Sequence, residues 1–352
     1  MGKVFFFPAR SDGCGFNETD SLQFEVFSSA SLSKLDNKVM LHGNNFFHSA
    51  VERDELERLL DSVDFSEKER SIFSFIVKNA GRKRHGFVFP SLMAIVNCTP
   101  DSFYPGSRVD PMNKLSMENI LQMKADIIDI GGESTRPGSK QLPVMEEINR
   151  LVPVVSDISC SSTIPISIDT KNPETLERML DFHIKYANDI SGFSQEHMRK
   201  IVRENNLEAI LMHSRGTPET MQSLIHYDDL IAELVEFFFD RLLLLTSEEI
   251  GIDKITLDPG IGFAKTWAGN LEILRHIDCL DLGLRTLVGA SRKSFIGHVT
   301  GQTVERRLPG TISTSIYLAQ HGIDILRVHD VNENREALQM IRSICDFGNE
   351  SL

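Results

Sequence analysis

The residues best suited to chemistry end a short apolar run, Ile323-Asp-Ile-Leu-Arg-Val328, which continues as His329-Asp330. Arg327 and His329 are two apart, and on a strand such side chains share a face. A guanidinium has a permanent charge and a fork of donors that matches phosphate. An imidazole donates or accepts near neutral pH. The pair fits an anion site at the end of a buried strand. A surface salt bridge with Asp330 as a helix cap fits the same residues equally well, so the rest of the chain has to separate the two.

Other runs end in the same manner. Leu92–Asn97 closes on Asn97, and Asp126–Gly131 opens into Asp129-Ile-Gly-Gly-Glu-Ser-Thr-Arg-Pro-Gly138. Pro165–Asp169, Ile184–Asn188 and Glu208–His213 end at Asp169, Asn188-Asp189 and His213. Lys254–Asp258 leads to Asp258-Pro-Gly-Ile-Gly-Phe-Ala-Lys265, and Arg285–Ala290 to Ser291-Arg292-Lys293. Asp and Asn alone would read as helix caps. Caps do not need Arg, Lys and His beside them, so the ends together read as a site.

The elements that must position these ends alternate regularly. From Phe87 onward the eight strand-like runs are separated by helix-like stretches at 117–124, 144–156, 173–182, 195–205, 227–250, 270–277 and 311–321, and a last one follows at 332–344. This count and length predict an α/β chain with a (β/α)8 TIM barrel, whose active site lies at the strand ends. A doubly wound sheet would show a glycine-rich first turn, whereas Asn97-Cys-Thr-Pro-Asp-Ser-Phe103 has none. Ahead of the barrel, residues 1–85 read as a small α+β N-terminal extension with strands at 3–7 and 22–27 and helices at 50–62 and 66–79. Ser66 and Glu69 form a capping-box pattern there. The division is 1–85 and 86–352, with no catalytic motif in the first part.

A net charge of −13 across 352 residues argues against a nucleic-acid partner held by general phosphate attraction. No apolar run approaches the roughly 20 residues needed to span a bilayer, so no membrane partner is expected. The start lacks a secretory signal, and five scattered cysteines match neither a disulfide framework nor a zinc site. A reducing cytoplasm is the expected compartment. Asp169, Asn188 and Asp258 offer acceptors to a flat, nitrogen-rich ring. Asn97, Arg327 and His329 suit an anion bridged by a divalent metal, and Arg136, Ser291 and Lys293 add donors.

The motifs Asn97-x-Thr-Pro-Asp-Ser-Phe103, Asp129-x-Gly-Gly-Glu-Ser-Thr-Arg-Pro-Gly138, Asp258-Pro-Gly-x-Gly-Phe263 and Ser291-Arg-Lys-Ser294 resemble those of the dihydropteroate synthases of folate biosynthesis. So do Met212-His213 with Gly216-Thr-Pro218, and Arg327-Val-His-Asp330. The resemblance runs from about Leu92 to Ile344. It implies condensation of a dihydropterin pyrophosphate with p-aminobenzoate, Mg²⁺ as cofactor, and a sulfonamide target. Carried over by position, Asp169, Asn188, Met212, Asp258 and Lys293 would hold the pterin. Asn97, Arg136, Arg327 and His329 would hold the pyrophosphate, with Asn97 on the metal. Thr135, Arg136, Pro137, Phe263 and Ser291 would form the p-aminobenzoate pocket, and Asp169, Lys293, Arg327 and His329 would be catalytic.

The sequence departs from the family pattern at Tyr104-Pro-Gly-Ser-Arg108, at Ala264 where glycine is usual, and at Ser214 after His213. His213 itself is expected to be a hydrogen-bonded wall residue rather than an acid or base. The stretch 227–250, with Phe237, Phe238 and Phe239, is more apolar than one core face requires. A homodimer through this outer helix and simple core packing both account for it. A pterin-binding methyltransferase is the nearest rival enzyme, but it has no pyrophosphate to hold. A non-catalytic pterin-binding protein with 1–85 as its interaction module is the rival of another class.

Overall fold

The computed structural model describes residues 4–9, 23–28, 40–42, 46–80, 87–98, 120, 122–134, 138–139 and 141–347. Eight parallel strands close into a barrel. In chain order they are β5 (Ser91–Asn97), β6 (Ile127–Gly131), β7 (Ile166–Asp169), β8 (Tyr186–Asp189), β9 (Glu208–Met212), β10 (Ile255–Asp258), β11 (Arg285–Val288) and β12 (Ile325–Val328). β12 closes the ring on β5, where Arg327 pairs with Met93. The helices that follow β6 to β12 are α3 (Val144–Ser161), α4 (Pro173–Met179), α5 (Glu196–Glu204), α6 (Leu230–Ser247), α7 (Trp267–Arg275), α8 (Ser294–Thr300) with α9 (Leu308–Gln320), and α10 (Val331–Asp346). Each expected strand is found within about two residues of its sequence bounds. The expected helix at 117–124 lies largely outside the described residues. The short α8 was not anticipated, since seven residues carry too little periodicity to register.

Period-two alternation fills the barrel in layers. Met93, Ile127, Tyr186, Ile210, Leu287 and Ile325 form a closed apolar cluster inside it. Two residues further along their strands come Asp129, Asn188, Met212 and Arg327, so a dry floor lies beneath a polar mouth. Strand register sets mouth residues side by side, with Asp169 opposite both Gly131 and Asn188, and Asp258 opposite Met212.

The N-terminal residues form a four-stranded antiparallel layer in the order β1 (Val4–Pro8), β2 (Gln23–Ser28), β4 (Phe46–Glu52), β3 (Met40–His42). Helices α1 (Arg53–Asp61) and α2 (Glu67–Asn79) follow, and α2 carries the anticipated capping box of Ser66 and Glu69. The expected helix at 50–62 begins three residues late, because Ala50, Val51 and Glu52 belong to β4. Strands β3 and β4 were missed. Phe-Phe-His-Ser-Ala-Val-Glu lacks the clean polar–apolar alternation that marks a half-buried strand.

This layer explains the apolar surplus of α6. Phe238, Phe239, Leu242 and Leu245 are all buried, and Phe239 sits 5.3 Å from Phe6 and 5.7 Å from Phe73, ring centroid to centroid. Phe5 reaches it at 6.4 Å. The face that could have served a partner subunit is therefore covered by the chain's own extension, and one apolar core runs from the N-terminal sheet to the barrel. Truncating Phe239 to alanine should remove an aromatic shared by both parts and cost about 3–5 kcal/mol in urea unfolding. A loss near zero would show that the layer rests on the helix without contributing to its stability.

Candidate active site

The mouth is built around Arg327. Its Nε donates to Asp129 Oδ2 at 2.5 Å and Nη2 to Asp169 Oδ2 at 2.6 Å. Burial works against the guanidinium charge, but the two carboxylates more than offset it and hold the group above its ordinary value. Arg327 is thus in a salt bridge, but a buried one with Asp129 and Asp169 rather than the surface one with Asp330 that the sequence allowed; Asp330 pairs with Arg292 instead. Asp129 is fully buried and also accepts from Asn188 Nδ2 at 3.2 Å. Two oxygens remain: Asp169 Oδ1 and Asn188 Oδ1 are buried and accept no hydrogen bond among the described residues. Buried acceptors left open cost about 1–3 kcal/mol each, so a ligand with N–H donors is the natural complement.

Asp258 and Lys293 face the same space. Asp258 Oδ1 accepts from Gly260 N at 2.8 Å, while Lys293 Nζ donates to the Ile261 carbonyl and lies 4.7 Å from the Phe263 ring centre. Burial raises the Asp258 carboxyl, with Lys293 pulling back. Burial lowers Lys293 to about 8, partly offset by Asp258. Burial likewise lifts Asp169 to about 7 against the pull of Arg327. Two groups that titrate near neutrality in one mouth are the signature of a working site.

The loop after β10 needs its glycines. Gly260 has φ +64°, and a Cβ there would lie 2.0 Å from the His213 carbonyl oxygen. Ala264 also has positive φ, +49°, so the alanine that departs from the family's glycine occupies a conformation glycine adopts at lower cost. Buried Lys265 ties this loop down, donating to His213 Nδ1 at 2.9 Å, Gly260 O at 3.1 Å and Phe263 O at 2.9 Å. Burial, then the Lys265 charge, holds His213 well below its usual range, and Phe237 meets its ring edge-on. His213 is a wall residue, as expected.

On the opposite rim Ser291 Oγ lies 2.9 Å from His329 Nδ1 and accepts from His329 N at 3.2 Å. The two loops that carry them are locked by Arg292, which forks onto both oxygens of Asp330 at 2.8 Å and donates to the Val304 and Glu305 carbonyls at 2.9 Å. Asn97 ends β5 beside Gly131. Among the described residues no group of three or more His, Cys, Asp or Glu could hold a metal. A cavity of about 250 Å³ opens beside Phe263, lined also by Lys171, Ser214, Thr217 and Pro218.

Residues 93–329 match the family model of pterin-binding enzymes. The chain is 36% identical over 259 residues to the dihydropteroate synthase of Escherichia coli K12, covering 72% of this chain and 91% of that one. The chain belongs to the dihydropteroate synthase family. Solved members of that family superpose on it. The Yersinia pestis enzyme in complex with a sulfonamide drug gives a TM-score of 0.69 at 33% identity, over 72% of this chain and 94% of that one. The Xanthomonas albilineans enzyme in complex with 7,8-dihydropteroate gives 0.63 at 31%, over 72% and 93%.

The structure gathers Asp169, Asn188, Met212, Asp258, Lys293, Phe263, Ser291, Arg327 and His329 at the barrel mouth these synthases share, with Asn97 at its edge. Thr135, Arg136 and Pro137 lie outside the described residues. Gly138, next in sequence, donates from its N to Pro218 O at 2.8 Å. Sequence reasoning treated Asp129 only as the start of a motif and passed over Lys265 and the Arg292–Asp330 fork. A strand with no exposed residue cannot carry an unpaired aspartate, and that signal could have singled out Asp129.

Replacing Asp330 with alanine should leave Arg292 charged and buried without its fork partner. The expected cost is about 3–5 kcal/mol in urea unfolding. A loss below about 1 kcal/mol would mean that the rim is not held by this pair.

Proposed function

We propose that the chain condenses 6-hydroxymethyl-7,8-dihydropterin pyrophosphate with p-aminobenzoate, giving 7,8-dihydropteroate and pyrophosphate. The observation that carries this is the pair of open, buried acceptors, Asp169 Oδ1 and Asn188 Oδ1, beside the Arg327 guanidinium. Together they suit a ring edge rich in N–H donors attached to an anionic leaving group. Asp169, Asn188, Asp258 and Lys293 hold the pterin, and Met212 packs near it. Arg327 and His329, with Arg136, hold the pyrophosphate. Phe263, on which the cavity opens, and Ser291 border p-aminobenzoate, and the family resemblance assigns Thr135, Arg136 and Pro137 to the same pocket.

The reaction needs no activated nucleophile from the protein. The bond from the pterin methylene to the pyrophosphate oxygen breaks, and its electron pair leaves with the pyrophosphate. The ring delocalises the resulting cation, and the Asp169 carboxylate stabilises it. The amine nitrogen of p-aminobenzoate then bonds to the methylene carbon and loses a proton. Arg327 opposes the charge that builds on the departing oxygen. Mg²⁺ keeps several waters and takes substrate phosphates as ligands, so Asn97 would add one protein oxygen to a coordination completed by water and pyrophosphate. When bound, the ion supplies further neutralisation of the pyrophosphate.

A homodimer of this barrel would pair through outer helices other than the covered face of α6. A reducing cytoplasm agrees with four cysteines outside any disulfide among the described residues, Cys98, Cys160, Cys279 and Cys345.

Pyrophosphate release measured with purified protein and Mg²⁺ should depend strictly on p-aminobenzoate. In that assay kcat/KM should rise with pH through about 7, as Asp169 gives up its proton, and fall through about 8, as Lys293 loses its charge. Asp169→Asn should abolish the acid limb. Release independent of p-aminobenzoate, or none at all, would overturn the assignment, and a flat profile from pH 6 to 9 would overturn the roles given to these two groups.

A further inference from the structure

We infer that Asp129 is a positioning residue that fixes the hydrogen-bonding polarity of the ring site, and so selects rings that present N–H donors. The inference rests on the pterin reading above and deepens it. Asp129 touches no part of the space a ligand would fill. It is fully buried in the layer that also holds Asn188 and Arg327, and its hydrogen bonds are to those two residues, which do face that space.

The argument is one of donors and acceptors. An ionised carboxylate has no proton to give, so it can only accept. Asn188 Nδ2 lies 3.2 Å from Asp129 Oδ2 and 3.4 Å from Oδ1. The Asn188 amide must therefore keep its NH2 turned to Asp129, which leaves its carbonyl oxygen to face the mouth. Asparagine is otherwise ambivalent, since either end of the amide could face a ligand. Arg327 extends the same constraint. With Nε held by Asp129, its Nη2 occupies Asp169 Oδ2, so only Oδ1 of Asp169 is offered upward. Both open oxygens in the mouth follow from this one acid. Ile127, its neighbour two residues earlier on the same strand, belongs to the dry cluster, so no solvent route relaxes the pattern from below.

Asp129→Asn changes the polarity with almost no change in shape. Its amide oxygen still serves Arg327, but its own NH2 then faces Asn188, whose amide loses its single orientation. The readout is the ratio of dissociation constants for two probes, pterin and lumazine, measured by calorimetry. Lumazine carries a carbonyl acceptor where pterin carries its amino donor, and an N1–H where pterin has a bare ring nitrogen. In the wild-type protein pterin should bind more tightly by about 10- to 100-fold, since lumazine sets an acceptor against fixed acceptors. In Asp129→Asn the ratio should shrink by at least about tenfold, and Asp129→Glu, again acceptor-only, should restore it.

A variant that merely loosens the barrel would weaken both probes alike and leave the ratio unchanged, which would overturn the inference. Wild-type protein that binds neither probe would instead sink the pterin reading itself. A second readout needs no variant. With asparagine labelled in ¹⁵N, the Asn188 side-chain NH2 should be protected from exchange in the free protein and remain so when pterin binds. Protection that appears only with ligand would mean that the amide turns toward the ring, against the inference.

Discussion

Inside the barrel one guanidinium and two carboxylates share a largely buried space. Isolated, any of the three would cost several kcal/mol to bury, and the attraction between them recovers that only because the geometry is that of a fork. Asp129 is completely buried and Arg327 retains 18% of its side-chain exposure. The arrangement is best understood as specifying an orientation rather than as adding stability. It fixes where Arg327 points, which oxygen of Asp169 is free, and which end of Asn188 meets the ligand. The site's chemistry, acceptors for a ring and a cation for an anion, follows from that one cluster.

The rest of the fold keeps the cluster in place. Below it lies the apolar floor. Around it the loops are tied by contacts that touch no substrate: Lys265 bridges the β10 loop to His213, and Arg292 with Asp330 fastens the β11 and β12 loops together. Glu147 on α3 does the same under β7, accepting from Thr170, Asn172 and Thr175. The N-terminal layer acts at greater distance, burying the aromatic face of α6 whose neighbour on the inner side, Phe237, packs against His213.

Much of this was legible in the sequence, for identifiable reasons. Strands buried on both faces read as short continuous apolar runs, and each ends abruptly in a polar residue, so the eight runs and their mouth residues could be placed almost to the residue. The Ser66 and Glu69 box was legible because capping is local. What was not legible depends on partners distant in sequence. Nothing near Asp129 announces that Arg327, nearly two hundred positions away, will grip it. Nothing in the α6 stretch says whether its phenylalanines meet another subunit or the extension, which is decided by Phe5, Phe6 and Phe73. The irregular strands β3 and β4 escaped because pairing, of β4 with β2 and of β3 with β4, rather than their own pattern, makes them strands.

The central claim is that Arg327, steadied by Asp129, is the cation against which the pyrophosphate departs. Its most direct test is the steady-state turnover of Arg327→Ala, checked for a native circular-dichroism spectrum, with Arg327→Lys as the variant that keeps the charge but not the fork. Turnover should fall by about 10²–10³ in the alanine variant and be only partly recovered by lysine. Near wild-type turnover in a folded alanine variant would contradict the account.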